Sequence, residues 1–396
     1  MKTLRNLGIV ALIGAACVSA YASPDEDLLD AIKKHDIKAV QAALAAGAKT
    51  TFKDPTGTDA TDWAAFAGDN EILKAVLAAG GNVNSPGYLG YTPLIQAAMW
   101  SNVDAVRTLL DAKADVNAKE EAGNTALMLA VTKCANKDII RMLADAGANV
   151  NEKDKLGNTP LMNAVLSSDR DQQLAGAKMM ETYGLLPKKL EDFSTTAEVV
   201  DALIVSSADV NARDAQGSTP LIQAFVNRHP EAAQLLIAAK ADVNAAGKDK
   251  KTALMAACLL GDEAGAVALL KAGADFKVEA EGGTTALHYA ASKGLAQAVA
   301  VMIAGGADVN AGDYIHMTPL MRASLRGHAR VVKLLLDAKA DPEKKDLMKN
   351  KAIQFANTNS DEEVLKLFHE AGVYENALAK YKNKNKQEFE SYYGSY

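Results

Sequence analysis

Apolar positions recur along this chain with a period much longer than one helical turn. Ala31, Ala64, Ala97, Ala130, Ala164, Ala224, Ala257, Ala290, Ala323 and Ala356 hold one equivalent place. A second phrase opens at residues 47, 80, 113, 147, 207, 240, 273, 306, 339 and 372, at intervals of 33 residues except for one of 34 and one of 60. Sixty is one period plus 27 residues, so one unit carries an insertion and the phase then resumes. Within a unit, Leu94 and Ala97, then Val106, Leu109 and Leu110, fall at helical spacing, which predicts two short helices sharing one apolar face. One such pair cannot bury its face alone, so the ten units must stack.

The punctuation agrees. Thr92-Pro93-Leu94, Thr159-Pro160-Leu161, Thr219-Pro220-Leu221 and Thr318-Pro319-Leu320 open first helices, and Ala replaces Pro after Thr125, Thr252 and Thr285. A threonine hydroxyl accepts from first-turn amides, and proline at the first helical position wastes no donor. Gly47, Gly80, Gly147, Gly273, Gly306 and Gly372 close second helices, where the left-handed conformation is usual. Lys113, Lys240 and Lys339 stand at that place without glycine. Ala-Asp-Val-Asn follows at 114–117, 208–211, 241–244 and 307–310.

The 33-residue period and the Thr-Pro-Leu-His opening, with His kept only at His288, resemble the ankyrin repeat over about residues 24–373. The resemblance implies an all-α solenoid of about ten helix-turn-helix units joined by β-turn fingers. At ~8–10 Å per helix layer, ten units predict a curved rod on the order of 90 Å long. The first unit begins Glu26-Asp27-Leu28-Leu29-Asp30 without Thr-Pro, and the last has Lys351-Ala352-Ile353 and Asp361-Glu362-Glu363; both read as polar caps. The insertion, residues 168–195 of the fifth unit, reads as a helical hairpin packed on itself or as a partner-contacting knob. Residues 374–396 read as a tail rich in Lys, Asn and Tyr.

Residues 1–22 combine Lys2 and Arg5, an apolar run from Leu7 to Ala20, and Ala20-Tyr21-Ala22, the pattern of a secretory signal cut before Ser23. The run is too short for a membrane span, which needs roughly 20 residues. Gly14 argues against a lipoprotein signal ending at Cys17. Cleavage lowers the net charge from −6 to −8 and leaves Cys134 and Cys258. Few cysteines and no glycosylation sequon in the mature chain favour a bacterial periplasmic setting, with secretion as the alternative.

The acidic balance argues against nucleic-acid binding, and 5% aromatics suit packed helices better than a large-pocket enzyme. The chain has no Gly-X-Ser-X-Gly, His-Glu-X-X-His, P-loop or Cys-X-X-Cys pattern. No enzyme, cofactor or metal site is expected. His288 and His328 read as structural, and His316 as a solvated fingertip residue whose sharper reading is a haem ligand. Glu120 and Glu121 read as solvated fingertip acids. Cys134 and Cys258, three layers apart, read as free thiols.

The resemblance implies that a protein partner binds the fingers and the open side of the first helices. At those positions Phe66, Tyr88, Leu89, Tyr91, Met99 and Trp100 concentrate on units two and three, whereas most other fingers are charged, as in Lys119-Glu120-Glu121 and Lys153-Asp154-Lys155. Aromatic residues in such a patch are typical hot spots. Leu259, Leu260, Tyr314, Ile315 and Met317 form a weaker second patch. The expectation is an exported binding module, monomeric when free, resembling periplasmic ankyrin immunity proteins that occlude an envelope-acting enzyme such as a cell-wall endopeptidase. The alternatives are an accessory factor for a catalase-type oxidative-stress enzyme that handles haem, and a secreted scaffold or effector.

Overall fold

First helices begin where a side-chain oxygen precedes a residue that needs no amide donor. Thr92 accepts from the Ile95 amide at 3.3 Å, Thr219 from Ile222 at 3.4 Å and Thr318 from Met321 at 3.3 Å, each with proline next. The computed structural model describes residues 23–166, 194–359 and 361–374. Among them the chain forms twenty helices and no strand, apart from isolated antiparallel bridges such as Ala246 with Thr252. No helix there is long and apolar enough to cross a membrane.

The described residues divide into two compact units. The first comprises 23–134 and 145–148. It holds α1 (Pro24–Lys33), α2 (Ile37–Ala45), α3 (Ala60–Ala67), α4 (Asn70–Ala78), α5 (Pro93–Met99), α6 (Val103–Asp111) and α7 (Ala126–Leu129). The second comprises 135–144, 149–166 and the rest from 194 onward. Its helices run from α8 (Lys137–Asp145) and α9 (Pro160–Leu166) through α10 (Thr196–Val205) to α20 (Glu362–Glu370). In each, first helices stack on first helices and second on second, and all ten marker alanines are buried. A side chain no larger than a methyl is what allows neighbouring first helices to approach closely.

The Asp-Val-Asn phrase is an inter-unit joint. Asp115 accepts from its own Asn117 amide at 3.0 Å, and the Asp115 amide donates to Asn84 of the unit before at 2.8 Å. The second compact unit repeats the joint at 2.7 Å from Asp209 to Asn151, Asp242 to Asn211, Asp275 to Asn244 and Asp341 to Asn310. At these five junctions the earlier repeat thereby satisfies a backbone donor of the next.

Two details are added and one expectation changes. The first unit, which lacks Thr-Pro, starts with Ser-Pro instead: Ser23 caps α1 in a capping box with Glu26, and Pro24 takes the first helical position. The 34-residue interval is absorbed by a π turn, Ala130–Cys134, that continues α7, the usual way to fit one extra residue into a helix. Glu120 is not a solvated fingertip acid. It is buried and accepts from the Ala122 and Asn124 amides at 2.7 and 2.9 Å, the task that Asp154 performs for Leu156 and Asn158.

Residues 1–22, most of the insertion and the tail beyond Tyr374 lie outside the described residues. The insertion's last two positions belong to a helix start: Thr195 caps α10, and Ser194 donates to the Ala135 carbonyl at 2.9 Å while its hydroxyl accepts from the Lys137 amide at 3.0 Å. Cys258 is a buried free thiol, pushed up to about 12 by burial and then by the Asp262 carboxylate. The side chain of Cys134 lies outside the described set.

Candidate protein-binding site

In the first compact unit, α3 and the residue that caps the end of α5 bring three aromatic rings into contact. Trp63 meets Phe66 edge to face with centroids 5.7 Å apart, and Phe66 meets Trp100 in the same way at 5.4 Å. The Lys33 ammonium lies 4.3 Å from the Trp63 centroid and 3.5 Å from the Asp54 carboxylate, to which the Trp63 indole donates at 3.0 Å. Burial raises the Asp54 acid, but hydrogen bonds from Thr56, Trp63 and Thr58 outweigh it and leave the group below its usual range, ionised and able to hold the lysine. Edge-to-face pairs contribute about 0.5–1.5 kcal/mol beyond area burial, so this strip is part of the unit's own packing.

The predicted patch therefore separates into two layers. Phe66, Met99 and Trp100 are half-buried and form the packed base, together with Trp63, which the sequence reading missed. Tyr88 and Leu89, 51% and 42% exposed, form an apolar fingertip beside it, with Tyr91 half-buried at its root. The Tyr91 phenol is raised by burial, then by Glu120 and Tyr88, and stays protonated at neutral pH.

Leu89 is the unusual member. Its φ is +54° and that of Gly90 is +76°, two successive left-handed residues. The finger at Gly282 and Gly283, with φ of +81° and +71°, makes the same double left-handed step with two glycines. An L side chain in that region costs roughly 1–2 kcal/mol, and exposed leucine gains nothing from the fold in return. The Leu89 carbonyl also accepts from the Glu121 amide at 3.0 Å, which holds the fingertip to the next finger.

The second patch changes. Tyr314 is exposed and Leu259 is 39% exposed, while Leu260 is half-buried beside Phe225 and His229. Ile315 and Met317 are buried at 4% and 0%, so they are not surface candidates. The Asp313 carboxylate accepts from both of their amides, at 3.0 and 2.9 Å, and the Met317 carbonyl is held 3.1 Å from His288 Nε2, which turns these side chains inward. The exposed apolar residues near Tyr314 are instead Leu347 and Met348 of the next finger, joined by the Leu347 amide to the Ile315 carbonyl at 3.0 Å.

His288 is buried and bonded to Thr285 and two finger carbonyls. Burial, then the Arg322 charge, lowers it to about 4, so it works as a neutral structural link. His328 Nε2 lies 3.0 Å from the Ser292 carbonyl in a similar joint. His316 is exposed at a left-handed fingertip position. Among the described residues no group of three or more His, Cys, Asp or Glu side chains is placed to hold a metal ion.

A family model described as ankyrin repeats (3 copies) matches residues 28–120, 113–179, 193–280 and 262–346. The chain belongs to the ankyrin-repeat family. Its ankyrin repeats are similar to part of a putative ankyrin repeat-containing protein of Treponema pallidum (strain Nichols), 34% identical over 112 residues, 28% of this chain and 38% of that protein. They also match protein phosphatase 1 regulatory subunit 12A of Mus musculus, 39% identical over 75 residues, and the Rattus norvegicus protein to the same extent. That segment is 19% of this chain and 7% of the regulatory subunit. Ankyrin repeats imply a protein partner, so this chain is a protein-binding repeat module.

Proposed function

We propose that this protein is an exported inhibitor or immunity module that occludes an envelope-acting enzyme, such as a peptidoglycan endopeptidase, in the bacterial periplasm. The observation that carries the reading is Leu89. An exposed leucine held in a left-handed turn, beside exposed Tyr88 and above a rigid aromatic base, destabilises the free chain and is explained by contact with another molecule. Tyrosine and leucine on a prefixed finger lose little entropy on docking, which suits a protein that acts by covering a site. The signal-like residues 1–22 support export, and Ser23, the first residue after the expected cut, begins the capped first helix.

The test is inhibition of muropeptide release from purified cell wall by a periplasmic extract, with the mature protein added. Inhibition that weakens with Tyr88→Ala supports the reading. Equal release with and without the protein overturns it, and a Soret shift on adding haem would point to the oxidative-stress accessory role instead.

A further inference from the structure

The third residue of a first helix is a junction in this fold. In the helix Ala286–Lys293 it is His288, whose imidazole reaches the next finger's Ala311 and Met317 carbonyls. In α3 the same position is Asp62, fully buried. One of its oxygens, Oδ2, accepts weakly from the Asp59 amide at 3.4 Å; the other, Oδ1, has no partner, nor does the buried hydroxyl of adjacent Thr61. The Asp59 carboxylate, also buried, accepts from the Thr61 and Asp62 amides at 2.9 and 3.1 Å.

The next finger lies directly on this acid. A methyl group on Gly87 would stand 2.8 Å from Asp62 Oδ2, so glycine lets the finger lie against the acid without displacing it. Gly87 is also the hinge of the Tyr88–Leu89 turn: its amide donates to the Tyr91 carbonyl at 2.9 Å, and its carbonyl accepts from Gly90 at 3.0 Å. Lys53 Nζ straps the same finger through the Pro86 carbonyl at 2.7 Å.

We propose that Asp62 is a proton-operated latch on the Tyr88–Leu89 finger: as a neutral acid it lets the finger close over it, and as a carboxylate it releases the finger to water. The consequence for partner capture rests on the proposed binding role of that finger. A protonated carboxyl carries no charge, so the finger can cover it without leaving a buried ion. An ionised one places a second negative charge beside Asp59, with no donor at Oδ1, and a buried charge in that state is relieved only by opening.

The groups around Asp62 leave the choice to its own proton. Asp59 opposes ionisation; Lys53 favours it but is engaged at Pro86; Asp54 is held by Lys33 and Trp63. Residues 86–91 bring only the phenols of Tyr88 and Tyr91, α5 brings no ionisable side chain, and Glu71 and Lys74 of α4 pair with each other. Burial and then Asp59 raise the Asp62 acid to about 8.

The test is amide hydrogen exchange of the full mature chain between pH 6 and pH 9, corrected for intrinsic rates, with the Gly217 amide of another finger as internal control. Protection at Gly87, Gly90 and Tyr91 should fall about tenfold per pH unit from pH 6 to about pH 8, roughly a hundredfold in all, and then level off, because the open acid is already ionised throughout that range. In Asp62→Asn the profile should be flat, and in Asp59→Asn, which keeps a capping side chain, the fall should move to lower pH. The same profile in the wild type and Asp62→Asn, or an equal fall at Gly217, overturns the latch. The readout needs no partner. A lost latch with capture still dependent on Tyr88 leaves the binding reading standing, and an intact latch with capture indifferent to Tyr88 does the reverse.

Discussion

Trp63 donates its indole N–H to the carboxylate of Asp54, nine residues earlier, and this strap from finger to first helix recurs with different donors. Asn163 reaches Asp154 at 3.1 Å, Gln223 reaches Asp214 at 2.8 Å, and Arg322 reaches Asp313 at 2.5 Å. The finger acid also gathers the amides of its own turn, so one carboxylate fixes the turn and ties it to the helix.

The Asp313–Arg322 version is a buried ion pair. Breaking a buried pair from one side costs about 3–5 kcal/mol, because the remaining charge loses its partner. Asp313→Ala should therefore lower unfolding stability by about that amount, with the Ile315 and Met317 amides also losing their acceptor. Arg322→Gln, which imitates Gln223 on Asp214, should cost roughly half as much or less. Urea melts of the two variants check the order; equal losses would mean the guanidinium, not the acid, organises the finger.

Lys113, Lys240 and Lys339 end second helices at φ of +64°, +64° and +65°, where Gly47 and Gly147 stand in other units at about +90°. A side chain in that region costs roughly 1 kcal/mol, offset in part by the greater unfolded-state freedom of glycine. Replacing any one of them by glycine should leave the chain equally stable or raise its melting midpoint by a few degrees. Calorimetry decides, and a clear loss would show that the lysine stem contributes packing.

The repeat was legible because most units carry their own punctuation: Thr-Pro or Thr-Ala at a helix start, glycine or lysine at a helix end, and in all ten an alanine where helices touch. The direction of finger side chains was not. Ile315 and Met317 read as surface residues, and only the three bonds at Asp313 and His288 turn them inward. Trp63 was invisible as a site residue because its partner lies nine residues away in a different element. Glu120 reads as a solvated charge until its place is matched to Asp154. No pattern of residue types signals that Leu89 is left-handed, and the bond its carbonyl accepts comes from Glu121, a residue of the next finger.

Asp62 also makes overall stability depend on pH. Its acid is raised in the folded state, so the folded chain holds a proton that the unfolded chain releases above its ordinary value of 3.8. The contribution is complete below about pH 4 and is lost as pH rises through about 8. Stability in urea should fall across that window with a slope of at most about 1.4 kcal/mol per pH unit from this group. Asp62→Asn should remove that slope and be the more stable protein at pH 8. Parallel pH profiles for the two proteins would place the proton elsewhere.

Leu89 supplies the sharpest test of the binding reading, because stability and binding should respond in opposite directions. Leu89→Gly relieves a left-handed side chain, as Gly282 does in its own finger, and should raise stability by roughly 1 kcal/mol. The same change removes an exposed apolar anchor next to Tyr88, and truncation of a hot spot commonly costs about 2 kcal/mol, roughly thirtyfold in affinity. Trp100→Ala is a poorer probe, since the ring packs on Phe66 and its loss should lower the melting temperature whatever the partner does. Lys153→Ala with Lys155→Ala, on a charged finger, is the control: affinity should shift only through association rate and salt dependence. A Leu89→Gly protein that is more stable and still inhibits muropeptide release at wild-type strength would show that the strained leucine is not a contact, and would move the search to Tyr314, Leu347 and Met348.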